Sequence, residues 1–174
     1  MQPSGKRYRA FISYSQKDKR LATKIHRALE RYRVPKGVEA PVDKDRRLGR
    51  FFRDDEELAG AASLGSALEG ALDDSDSLIV VASPNAAQSK WVDEEVKRFK
   101  RNPGRRVFAC IVGGIPNAND PEAECFPPAL RYKVDAEGNL SDSPDEPLAP
   151  DLSKEGFARV RARLVAALLD IPTE

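Results

Sequence analysis

The sequence predicts an α/β fold: a flavodoxin-like, doubly wound sheet of about five parallel strands in the order 2-1-3-4-5, flanked by helices. Three observations carry this expectation. The short runs 9–14, 77–82 and 107–112 are largely β-branched or aromatic and lack the polar alternation of a half-exposed sheet, so they suit strands covered on both faces. Segments of helical period lie between them, at 19–32, 63–72 and 88–100. Strand and helix therefore alternate, which implies βαβ units, right-handed crossovers and a parallel sheet.

Each element has its own justification. The first helix places Leu21, Ile25, Ala28, Leu29 and Tyr32 on one face, with Asp18 positioned to cap it. Residues 49–52 supply a second strand, and Ser63 stands at the start of the second helix. Pro84 and Asn85 close the third strand. Residues 113–153 are rich in Gly, Pro, Asp and Asn and read as an irregular surface connection, with a weaker fifth strand at 130–134 and a tight turn at 137–139. Phe157, Val160, Leu164, Ala167, Leu168 and Ile171 restore helical spacing, giving a last helix over about 154–170 that Pro172 ends. The expected organisation is a single domain, 1–174, with its core at about 7–112.

Composition removes several functional classes. With 29 basic and 28 acidic side chains and a net charge of +1, no whole-molecule field favours nucleic acid. The apolar runs are far shorter than a membrane span and the start is polar, so no membrane partner is expected and the expected location is the cytoplasm. Cys110, Cys125 and the lone His26 have neither metal-ligand spacing nor a disulfide framework, so no metal site is expected.

The feature that points to chemistry is an acid beside an apolar helical seam. Val92, Val96 and Phe99 make an i, i+4, i+7 stripe; Glu95 lies on its flank, Trp91 one turn below, and Glu94 points away. A carboxylate desolvated in this way wants a cationic or hydroxylic partner. The alternative is an ordinary surface acid paired with Lys90 or Arg98. Ligands of doubly wound sheets bind at the carboxyl ends of strands where strand order reverses, here between strands one and three. The loop Tyr14-Ser15-Gln16-Lys17, the stretch from Arg53 to Gly60 and the Trp91–Glu95 helix converge there, which suits a ligand with a flat ring and phosphates. Neither a Gly-x-Gly-x-x-Gly turn nor a Gly-Lys-Ser/Thr loop is present, and Ala82-Ser83-Pro84 stands where a phospho-receiver would need its acceptor Asp.

Three ordered blocks carry a family resemblance. Tyr8-Arg9-Ala10-Phe11-Ile12-Ser13-Tyr14-Ser15 with Asp18, then Phe51-Phe52-Arg53-Asp54-Asp55-Glu56-Glu57-Leu58-Ala59-Gly60, then Ala82-Ser83-Pro84 before Ser89-Lys90-Trp91 resemble the TIR (Toll/interleukin-1 receptor) domain family, in its bacterial branch. The resemblance implies cleavage of NAD+ at the nicotinamide–ribose bond, to nicotinamide and ADP-ribose or a cyclic isomer, with Glu95 as the catalytic acid four residues after Trp91. NAD+ is then the substrate, with no cofactor. Trp91, Ser13, Tyr14, Ser15, Arg53 and Asp54 are the expected NAD+ contacts, although Trp91 also suits a core aromatic and the others suit loop caps or surface groups. The segment Asp54, Asp55, Glu56, Glu57, Leu58, Ala59, Gly60 corresponds to the BB loop, through which neighbouring TIR domains assemble into oligomers or filaments. The implied setting is bacterial immune signalling, with a sensor domain or partner protein as trigger. A non-catalytic TIR–TIR interaction module and a nucleoside deoxyribosyltransferase-like enzyme are the alternatives. The 34–47 connection departs from the family pattern, being long and basic in its second half, and has the reach to reshape one rim of the crevice.

Overall fold

The computed structural model describes residues 5–53 and 65–171. In chain order these form β1 (Tyr8–Ser13), a 3-10 turn (Gln16–Asp18), α1 (Lys19–Arg31), β2 (Phe51–Arg53), α2 (Ser66–Asp73), β3 (Ser75–Ala82) and α3 (Pro84–Ala87). They continue with α4 (Lys90–Lys100), β4 (Arg106–Ile111), α5 (Pro128–Arg131), β5 (Tyr132–Val134), β6 (Leu140–Pro144) and α6 (Phe157–Leu169). β2-β1-β3-β4 make one parallel sheet.

Alternate strand residues build the two layers of core. Phe11, Leu78, Val80 and Ala82 point to one face, where they meet Leu72 of α2 and Val92, Val96 and Phe99 of α4. Ala10, Ile12, Ile79 and Val81 point to the other, against Ile25 and Leu29 of α1 and Val160, Leu164 and Leu168 of α6. This double coverage is why the strand sequences show no polar alternation. Phe99 is fully enclosed and carries the Arg105 guanidinium 3.7 Å above its ring. Truncating such a side chain to Ala costs about 3–5 kcal/mol.

Several expectations are corrected. The fifth strand does not join the sheet: β5 pairs antiparallel with β6 in a separate hairpin, and Leu130 is buried within α5. The free edge of β4 is covered instead by residues 148–152. Ala109 N–H donates to Leu148 O at 2.9 Å, Ile111 N–H to Pro150 O at 2.9 Å, and Leu152 N–H returns to Ile111 O at 2.8 Å. Pro150 has no N–H to offer a ladder, so this cover is made of isolated parallel bridges and not a continuous strand. Leu21 is 37% exposed, because it sits on the flank of the helix face that Ala22, Ile25 and Leu29 bury. Pro84 does more than close β3: it opens α3, with Ser83 as N-cap accepting from Ala86 N at 3.0 Å. α2 begins after Gly65, and the expected cap Ser63 lies outside the described residues. α6 ends at Leu169, where Asp170 turns left-handed (φ 58°) and Ile171 N–H closes onto Ala166 O; Pro172 lies outside the described residues.

The hairpin turn at 137–139 is present, with Gly138 at φ 86° and Asp135 N–H bonded to Asn139 O. The 34–47 connection is tied down by Arg46, which donates to Val34, Pro35 and Val38 carbonyls, and by Arg9, which donates to Leu48 and Pro41 carbonyls. Arg9 lies at the amino end of β1, so these ties hold the connection away from the strand's Ser13 end.

Candidate active site

Glu95 sits on α4, whose start is set by Ser89 accepting from Val92 N at 3.2 Å. The seam of Val92, Val96 and Phe99 draws that face of the helix onto the sheet and carries Glu95 with it, leaving the acid only 6% exposed. Directly below, β1 ends at Ser13, which follows Phe11 on the α4 side of the strand. Ser13 Oγ donates to Glu95 Oε1 at 2.6 Å, a buried bond between residues 82 apart in sequence. A hydroxyl donor to a carboxylate at this length is charge-assisted. Glu94 is half-buried. Arg98 turns to Asp73 (3.1 and 2.8 Å) and Glu69 (3.3 Å), and Lys90 lies 6.0 Å from the Trp91 ring centroid. The surface-acid reading of Glu95 thus gives way to a buried acid with a hydroxylic partner.

The other expected residues divide. Trp91 is half-buried in the first turn of α4, one turn before Glu95, and lies outside the enclosed core. Arg53 ends β2 opposite Ile12, so it stands at the same carboxyl edge, one residue short of Ser13's level. Ser15 is a cap: its Oγ accepts from Lys17 N at 3.3 Å and its carbonyl from Asp18 N at 2.8 Å, closing the 3-10 turn. Tyr14 follows strand alternation to the opposite layer and is 7% exposed among the core residues facing α1 and α6. Asp54 and the rest of the segment Asp54, Asp55, Glu56, Glu57, Leu58, Ala59 and Gly60 lie outside the described residues.

One residue of the site escaped its sequence reading. Asp18 occupies the N-cap position of α1 yet makes no side-chain capping bond. Its carboxylate accepts instead from Ser83 Oγ and, at 3.2 Å, from Asn85 Nδ2. It therefore ties the loop after β1 to the loop after β3, the two strand ends that flank the reversal of order. The available signal was an acid and a Ser-Pro-Asn turn just past two adjacent strands. On the far side, Gly114 (φ 79°) lets the loop after β4 close on Pro84, because a Cβ there would meet Ala123 O at 2.6 Å. Both cysteines are free and buried, and burial pushes each thiol up to about 12. Among the described residues no group of His, Cys, Asp and Glu is arranged to hold a metal ion.

Fold and site together define a doubly wound α/β module with the buried acid Glu95 at the carboxyl edge, beside the strand-order reversal. The TIR domain family pattern matches residues 10–149, and the chain belongs to that family. It is similar to the NAD(+) hydrolase ApTIR of Actinoplanes sp., 34% identical over 138 residues that make up 72% of this chain and 18% of that protein. The chain thus spans less than a fifth of that relative's length. Its fold is similar to the TIR domains in the structure of the activated Roq1 resistosome directly recognizing the pathogen effector XopQ, with a TM-score of 0.62, 22% identity, and coverage of 92% of this chain and 98% of that one.

Proposed function

We propose that this chain is an NAD+ nucleosidase that cleaves the nicotinamide–ribose bond, is activated by self-assembly, and serves bacterial immune signalling in the cytoplasm. The observation that carries the reading is the buried Glu95 carboxylate held by Ser13 beside half-buried Trp91. It stands in a TIR-family chain similar to a protein named as an NAD(+) hydrolase.

One carboxylate suffices for this chemistry. The scissile bond joins the pyridinium nitrogen to the anomeric carbon, and its electron pair leaves with nicotinamide, which departs neutral and needs no acid. The charge to be stabilised is on the ribosyl oxocarbenium ion, as in glycoside cleavage. Glu95 holds the ribose hydroxyls and lies under that developing cation, while Ser13 fixes one carboxylate oxygen so that little reorganisation is needed at the moment of reaction. Trp91 walls the pocket next to the ribose, and Arg53 balances the pyrophosphate charge. Water adds to the anomeric carbon and sheds a proton to give ADP-ribose; attack by the substrate's own adenine or ribose gives a cyclic isomer. The acidic 54–60 segment contacts the neighbouring copy, so activity rises with concentration by mass action.

The test is NMR or chromatography of NAD+ incubated with concentrated protein, beside Glu95→Ala and Glu94→Ala. Nicotinamide release lost only in the Glu95 variant is the expected result. Silence of the assembled wild-type protein would point to a non-catalytic interaction module, and turnover of deoxynucleosides but not NAD+ to a deoxyribosyltransferase-like enzyme.

A further inference from the structure

Away from the candidate site, α1 and α6 pack side by side and leave between them a groove of about 590 Å³, within the range of small-molecule sites. Among the described residues its charged lining is of one sign: Arg20, Lys24, Arg27 and Arg31 from α1 and Arg161 from α6, with no carboxylate. The first four recur at i, i+4, i+7 and i+11, within an arc of about 60° at 100° per residue, and climb the helix about 4.5–6 Å at each step.

The ordinary account of such a stripe is a solvated helix face whose charges neighbouring acids balance. That balance is missing here. The whole chain has 29 basic and 28 acidic residues, but α1 carries five Lys or Arg and one acid, Glu30. Glu30 is turned away to β2, where it accepts from Phe51 N at 2.9 Å and pairs with His26 at 3.1 Å. None of the five groove cations pairs with a carboxylate among the described residues, and Arg161 Nε is buried with no hydrogen-bond partner. The helix dipole favours only the last-turn Arg31; the first turn of α1 has no acid, and like charges one turn apart repel. Two aromatic rings serve as supports, with Lys24 Nζ 4.4 Å from the Phe157 centroid and the Arg161 guanidinium 5.5 Å from that of Tyr32. Since cations already cover both rings, charge and not base stacking is what the groove offers.

We infer that the α1–α6 groove is a binding site for an oligophosphate, either an inorganic polyphosphate or the phosphate chain of a nucleotide. Four of the five cations are arginines, whose guanidinium forks match phosphate oxygens bidentately. A short run of phosphates concentrates more negative charge in this volume than a peptide segment bearing single carboxylates. The site is separate from Glu95 and does not depend on the proposed NAD+ chemistry.

The test is calorimetric titration of the whole chain at low salt with sodium tripolyphosphate and, separately, ATP. Saturable 1:1 binding of tripolyphosphate is expected, weakening steeply as salt rises. Arg27→Gln/Arg31→Gln should weaken it at least tenfold, whereas Glu95→Ala should bind like wild type. Both arginines are solvent-exposed, so the double variant should keep the wild-type unfolding transition. Equal affinity for the two probes assigns recognition to the phosphates alone, and tighter ATP binding assigns part of it to the nucleoside; either supports the site. Absence of saturable binding by both probes would overturn the inference. So would binding that the double arginine variant leaves intact, or loss of binding in Glu95→Ala. Dimerisation through this face without phosphate binding would give the groove to a second copy instead.

Discussion

Replacing Ser13 with Ala removes a single oxygen, the one that donates to Glu95 Oε1 at 2.6 Å in a site where the serine is 1% and the glutamate 6% exposed. A hydrogen bond to a charged group contributes about 1.5–3 kcal/mol. If Ser13 holds the carboxylate in its reactive position, a loss of that size in the transition state lowers kcat about ten- to hundredfold. KM should change little, since ground-state contacts with NAD+ are untouched. Nicotinamide release over a range of NAD+ concentrations separates the two constants, and denaturant unfolding of the same variant should show a loss of comparable size. A raised KM with unchanged kcat would refute the reasoning. It would mean that Ser13 touches substrate, as the family resemblance implies, and that Glu95 is positioned by other groups.

Asp18→Ala deletes the acceptor shared by Ser83 and Asn85, uncoupling the loops after β1 and β3. It should lower stability by about 1–2 kcal/mol by urea unfolding and reduce NAD+ turnover. Because burial pushes Cys110 and Cys125 up to about 12, native protein should resist iodoacetamide at pH 8, and mass spectrometry should find both thiols labelled only after unfolding. Glu155 is held below the usual carboxylate range by the Asp151 backbone N–H and then by Arg163. A depressed folded-state pKa gives stability that is fully present above the ordinary carboxylate value and lost as pH falls through the folded value. Glu155→Gln should therefore differ from wild type in urea midpoint at neutral pH, with the difference closing as the pH falls below the carboxylate range.

Much of this was legible because it is local. The apolar runs at 9–14, 77–82 and 107–112 and the helical periods between them need only near neighbours in sequence to declare themselves, and each corresponds to an element of the structure. The same local reading placed Glu95 on the seam side of α4 and Glu94 off it, since side-chain direction on a helix follows from the 3.6-residue turn. It failed where one stretch of chain competes with another. Residues 132–134 have strand character, but their partner is β6, and the edge of β4 is taken by 148–152, whose Pro150 hid its extended course.

The chain's own order of residues therefore determined the layered α/β architecture, the buried acid and the family to which it belongs. Only the tertiary structure decided that Ser13 is the hydroxyl meeting Glu95, that Tyr14 turns to the opposite layer, and that Asp18 serves Ser83 and not the helix it precedes. Those pairings join residues that lie 65 or 82 positions apart, and they depend on the register of β1 against β3 and on how deeply α4 seats on the sheet. Hydrogen-bond geometry resolves differences of a few tenths of an ångström, whereas periodicity resolves only a face.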